Sequence, residues 1–191
     1  MEYKKPYAPV THYTTGEKWK NDLRRYGSVF LVIFIWFFSF QYIVRQYLFY
    51  PIAVKDNYMQ PALEKGKTLF LLYPHLSELR RGDIIQAKIK NTNVELLCRI
   101  AAMPGENIEI KNQNIFINNQ KLKDDYGFYE DKRIYPIELS LKDNMKKTTV
   151  RVKEYFCLHD NREQYTDSRH WGAVSEENIK GKVWAVGMLG I

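Results

Sequence analysis

With 191 residues, 45% of them hydrophobic, the chain has material for one ordinary domain with a core and an appendage. Its formal net charge of +7 sets 29 Lys and Arg against 22 Asp and Glu. The two signs are interspersed, with no dense basic run and no aromatic/basic reading motif, so nucleic acid is excluded as a partner and the charge reads as solubility and membrane-surface character. Two cysteines allow one disulfide at most and match no metal-binding spacing, so no metal and no other cofactor is expected.

Residues 1–25 are polar and turn-rich, and are expected to be loosely ordered. Cations are in excess there, and Arg24 and Arg25 abut an apolar run directly. That run, residues 26–46, is apolar and aromatic all round, with Ser28, Ser39 and Gln41 as its early polar exceptions. About 19 such residues at 1.5 Å rise span roughly 28 Å, the thickness of a bilayer core. A buried core helix would be one-sided, and a cleaved signal peptide would be shorter and end in small residues. Here the run continues into Tyr47, Leu48, Phe49 and Tyr50. The expectation is a retained single-pass anchor in the cytoplasmic membrane. The basic flank places residues 1–25 in the cytoplasm and everything from residue 50 on the outer side, periplasmic or extracellular.

Beyond Pro51 the pattern changes to short alternating segments. Strands are expected over 68–73, 83–89, 93–100, 107–110, 114–117, 147–152, 154–158 and 181–188, punctuated by Gly66, Pro74, Gly82, Asn91, Pro104-Gly105 and Asn112. No helix-period segment of any length follows the anchor. The fold class is therefore an all-β domain of many short strands, residues 50–191, tethered by one N-terminal transmembrane helix, with a small insertion at about 121–148.

Three stretches carry chemistry: Asp56-Asn57-Tyr58-Met59-Gln60-Pro61-Ala62-Leu63, then Leu97-Cys98-Arg99-Ile100-Ala101-Ala102-Met103-Pro104-Gly105-Glu106, then His159-Asp160-Asn161-Arg162 through Asp167-Ser168-Arg169-His170-Trp171-Gly172. Together they resemble the three boxes of the type I signal peptidases, membrane-bound serine endopeptidases with a Ser/Lys pair. That family writes the boxes S-M-x-P-T-L, K-R-x-x-G-x-P-G-[DE] and G-D-N-R-x-x-S-x-D-S-R-x-W-G. Arg81-Gly82-Asp83-Ile84-Ile85 and 178–183 look like two of its strands, so the resemblance covers nearly all of the part after the anchor. Met59, Pro61, Leu63, Arg99, Pro104, Gly105, Asp160, Asn161, Arg162, Asp167, Ser168, Arg169, Trp171 and Gly172 fit the pattern. The resemblance implies a signal-peptidase-like β fold, a groove for extended peptides, and preproteins or signal peptides as ligands.

Tyr58 stands where the family has its nucleophilic Ser, and Cys98 where it has its general-base Lys. A serine hydroxyl needs an adjacent base, and a desolvated lysine can serve. A tyrosine phenol is bulkier and titrates near 10, and a thiol that has lost its proton is a nucleophile before it is a base. His159 replaces the family Gly and Tyr165 the Ser that supports the Lys, so the neighbours of the pair have changed with it. The retained residues are read as structural: Asp160 and Arg162 in a turn and its ion pairs, Asp167 and Arg169 in another, Trp171 in the core.

The function expected is thus that of a catalytically inactive signal peptidase I-like membrane protein. It would act by binding preproteins, an active paralogue or the export machinery. Two enzyme readings compete: an active signal peptidase I, or a thiol peptidase using Cys98 with His159 as base. Cys157 alternates with His159 and so points to the same side of a strand. If that side faces Cys98 a bridge could form, but two buried apolar thiols that never meet are the preferred expectation.

Overall fold

The computed structural model describes residues 15–187 apart from 91 and 165. The first fourteen residues, Tyr165 and Met188, on which sequence expectations fell, lie outside it.

Helix α1 runs Thr15–Tyr47, so regular structure begins well inside the segment expected to be loose. Every residue from 22 to 43 is exposed, aromatic and aliphatic alike. The 26 residues Asp22–Tyr47 are long and apolar enough to cross a membrane, reaching about 39 Å at 1.5 Å per residue. Phe30, Phe34 and Phe38 follow one another at the i, i+4 spacing, with successive centroids 6.4 and 4.3 Å apart. A helix apolar on all sides over this length fits a membrane anchor.

From Gln46 onward the chain forms a separate unit that is mostly β. Its strands are β1 Phe49–Ala53, β2 Thr68–Leu72, β3 Ile84–Lys88, β4 Glu95–Ala102, β5 Asn107–Lys111, β6 Asn114–Ile117, β7 Gln120–Lys121, β8 Met145–Thr149, β9 Glu154–Leu158, β10 Val174–Ser175 and β11 Ile179–Val186. A single helical turn, α2 Ser168–Trp171, precedes β10. Seven strands make one sheet in the order β1-β2-β11-β3-β4-β9-β10, and four make a second in the order β7-β6-β5-β8. The last long strand therefore inserts between β2 and β3. That close approach is why residue 181 is glycine: a Cβ there would lie 2.9 Å from the Tyr50 hydroxyl and 3.0 Å from Leu72 O.

Alternation explains the layering. Ile108, Ile110, Ile115 and Ile117 point from β5 and β6 into one cluster with Ala102, Val150, Phe156 and Leu158. Ile85, Ala87, Leu96, Cys98, Ile100 and Cys157 form a second, and Val54, Met59, Leu63, Leu69, Leu71 and Leu97 a third. Met59 and Leu63, retained from the first box, thus hold the segment that carries Tyr58. Gly105, after Pro104, takes a left-handed φ of +85° at the turn into β5.

Residues 121–148 are neither strand nor helix over most of their length, yet side-chain and backbone bonds hold them to the β unit. Asp124 pairs with Arg162 at 2.7 Å, and Lys142, with 7% of its side chain exposed, pairs with Glu163 at 3.0 Å. Phe128 bridges to Asn161, exchanging backbone bonds of 2.8 Å with Asp160 O and the Arg162 N–H. The fully buried Asp143 accepts from Gln113 Nε2 at 2.8 Å and from the Tyr135 N–H at 3.1 Å. One expectation fails here: Trp171 does not fill the core but is half exposed, its indole N–H donating to Thr166 O at 3.3 Å.

Candidate functional site

The three boxes meet around Tyr58. Its segment leaves the third hydrophobic cluster, and its carbonyl accepts from the Asn161 N–H at 2.9 Å, which ties the first box to the third. The Tyr58 ring, partly exposed, packs on His159 with centroids 4.8 Å apart. The Tyr58 N–H donates to Asp56 Oδ1 at 3.1 Å. Asp56 was legible in the first box but carried no role in the sequence reading. Its signal is a short acceptor two residues before an N–H, the ordinary Asx-turn spacing.

His159 is fully buried at the end of β9. Its N–H donates to Asp167 Oδ2 at 2.9 Å, and Nδ1 lies 3.0 Å from Gln164 O. A carbonyl only accepts, so Nδ1 carries the hydrogen and Nε2 holds a lone pair with no partner. Burial pushes the His159 pKa below the usual range, against the pull of Asp167.

Cys98 and Cys157 form a disulfide between β4 and β9, with Cα atoms 5.6 Å apart. This corrects the expectation of two separate thiols: Ile100 is in register with Cys157, which places Cys98 and Cys157 on one face of two paired strands. It also removes the thiol-peptidase reading, because Cys98 is fully buried and its sulfur is already bonded. Ser168 supports the bridge from α2, its hydroxyl accepting from the Cys157 N–H at 3.0 Å.

The arginines of the second and third boxes are each held in an ion pair. Arg99 grips Asp160 with two nitrogens, Nε at 2.8 Å, and donates to Gly82 O at 2.8 Å, while the Tyr126 ring covers its guanidinium at 3.9 Å. Arg162 donates to His159 O as well as to Asp124. Arg169 binds Asp167 through Nε at 2.9 Å and Nη2 at 2.8 Å, and reaches Arg162 O at 3.0 Å. Burial alone would raise the Asp167 carboxyl, but Arg169 and the bonds from His159 outweigh it and hold it low. Asp167 also caps α2 by accepting from the Arg169 N–H at 3.0 Å. Pro61 follows Gln60, whose N–H donates to Asn57 O at 3.2 Å, in the turn that presents Tyr58.

A groove of about 280 Å³ runs beside this site, lined by Ile52, Ala53, Lys55, Asp56, Gln86, Glu95, Leu96 and Leu97. Residues of β1, β3 and β4 and the segment after β1 line it. Among the described residues β1 pairs only with β2, and β9 meets β4 only from Arg99 onward, so 95–98 of β4 has β3 as its one strand neighbour. An extended chain laid there could bond to both edges.

The family model described as signal peptidase, peptidase S26, matches residues 23–188, most of the chain. The chain belongs to the signal peptidase S26 family. A signal peptidase I P of Bacillus subtilis subsp. natto is 27% identical over 167 residues, covering 86% of this chain and 88% of that one. A signal peptidase I of Bacillus amyloliquefaciens is 30% identical over 142 residues, covering 73% and 74%. A solved signal peptidase I from Enterococcus faecalis V583 has a TM-score of 0.46 at 22% identity, over 56% of this chain and 98% of that one. In this family member Tyr58 thus packs a tilted ring on His159, and Cys98 holds a disulfide sulfur.

Proposed function

We propose that this family member is a catalytically silent signal peptidase I-like protein that holds extended peptides without cutting them. The observation that carries the reading is the pair of altered positions: Tyr58 packs against His159, and Cys98 is bound to Cys157. Neither can supply a hydroxyl activated by a neutral amine. The groove beside them, of mixed polar and apolar lining, borders β1 and residues 95–97 of β4, each paired on one side, which suits backbone pairing to an extended preprotein or signal peptide. The apolar helix α1 anchors the protein in the cytoplasmic membrane, with the β unit on the outer side where exported chains emerge. An active paralogue or the export machinery would be partners of such a holding protein.

The competing reading, an active signal peptidase I, draws on the names of the relatives. Met59 and Pro61 fix the register around Tyr58, and Arg99 and Pro104 fix it around Cys98, which leaves no slack for a shifted Ser or Lys. The test uses the full chain in detergent micelles. A preprotein should remain uncut over hours, while a fluorescent peptide spanning its cleavage site binds and is displaced from the Ala53→Trp variant, whose new side chain fills the groove. Cleavage by the native chain would establish the active reading. Failure of the peptide to bind would refute the holding function.

A further inference from the structure

The groove's charge implies which peptides it keeps. Three of its lining residues are charged, Lys55, Asp56 and Glu95, and they are not equivalent. Lys55 is solvent-exposed, whereas Asp56 is half-buried and held by the Tyr58 N–H at 3.1 Å. Glu95 accepts from Gln86 Nε2 at 2.8 Å, and Gln86 in turn accepts from the Tyr50 hydroxyl at 2.9 Å, so this carboxylate is also held in place. Glu95 is nonetheless exposed, as Lys55 is, so the half-buried charge of the groove is Asp56, which sits against residue 58.

On the peptide-holding reading, residue 58 stands where the resembled peptidases have their nucleophile, so the cleavage point of a bound chain would lie beside it. A backbone N–H at that position is a natural donor to a developing oxyanion, or to the carboxylate that cleavage leaves behind. Here the donor is already engaged, and its acceptor is an anion. An uncut chain presents a neutral peptide carbonyl at this point and loses little. A peptide ending there brings a carboxylate against Asp56 with no free N–H to receive it.

We infer that Asp56 makes the groove selective for uncleaved chains over peptides that end in a free carboxylate at the cleavage point. The selectivity rests on the peptide-holding reading above, and it gives that reading a direction: the protein releases what a peptidase has already cut.

The experiment measures anisotropy of three labelled peptides with the full chain in micelles. One spans a preprotein cleavage site, one ends at that site with a free carboxylate, and one ends there as an amide. The spanning and amidated peptides should bind alike, and the free carboxylate about tenfold more weakly at low salt, a gap that narrows as salt rises. Asp56→Asn keeps the acceptor for the Tyr58 N–H but removes the charge, and should bring the three affinities together. Equal or tighter binding of the carboxylate by the native chain, as capture by Lys55 would produce, overturns the inference while leaving peptide holding intact. If none of the three binds, peptide holding itself fails and the inference goes with it.

Discussion

His159 shows what a single substitution does to the chemistry of this site. Its ring lies under Tyr58, its Nδ1 hydrogen is committed to Gln164 O, and Nε2 faces no partner. Protonation would bury both a charge and an unmatched N–H, which is why burial dominates and the folded-state pKa lies below the ordinary value near 6.5. A base depressed in the folded state binds fewer protons there than in the unfolded chain, so stability falls with acid. The loss should begin as pH drops below about 6.5 and deepen until the folded pKa is passed. Asp167, held low by Arg169, adds a second loss only below about pH 4. Denaturation of the native chain should show declining stability between pH 7.5 and 5, and His159→Phe should flatten that slope whatever its absolute stability. An unchanged slope in the variant would mean that another group titrates. The same packing decides the Tyr58→Ser variant. It opens a space above His159 but provides no activated hydroxyl, because His159 is fully buried and fixed by its Gln164 bond, and Cys98 is unavailable as base. A preprotein assay should find this variant as inactive as the native chain, and robust turnover would reveal a base among residues given no such role.

At the level of elements, β4 and β9 are joined twice, by their ladder and by the Cys98–Cys157 bond, which closes a span of 59 residues. That span contains the whole second sheet and residues 121–148, so the bridge restricts this part of the unfolded chain. In the chain-entropy picture a loop of about 60 residues is worth about 4 kcal/mol. The Cys98→Ala/Cys157→Ala double variant should lose stability of that order in urea, and alkylation of the denatured, unreduced native chain should label neither cysteine. Full labelling would place the bridge outside the protein's solution state. Much of this architecture was readable in advance: the alternation in 107–110 and 114–117 located β5 and β6 because half-buried strands impose period two. β1 was not, because Phe49, Tyr50 and Ile52 continue the apolar run before them and Pro51 argues against a strand. Pro51 is tolerated because β1 pairs on one side only. Nor did local pattern reveal that Lys142 and Asp143 would be buried, since their partners Glu163 and Gln113 are far away in sequence. For the site, the sequence singled out Tyr58 and Cys98, but the Cys98–Cys157 bond and the Asp56 contact depend on strand register and a turn, which sequence alone leaves open.

The whole molecule couples an apolar helix to a β unit whose groove carries fixed negative charge, and the value of that coupling depends on which side of the membrane the groove faces. Lys20, Arg24 and Arg25 precede the apolar part of α1, against Arg45 alone within its last turn. Cations flanking a span favour the cytoplasmic side, so the start of the helix should remain inside and the β unit should cross. The disulfide is consistent with that placement, because such bonds persist in oxidising compartments and are rare in the cytosol. In intact cells or spheroplasts, an epitope tag added at the N-terminus should survive external protease while one added after Ile191 is digested. Arg24→Glu with Arg25→Glu should weaken this preference, because it removes the charge asymmetry without touching the apolar run. Both tags digested, or both protected, in the native chain would mean that α1 does not cross the membrane once, and the groove would then have to meet its peptides on the side where the tags are found.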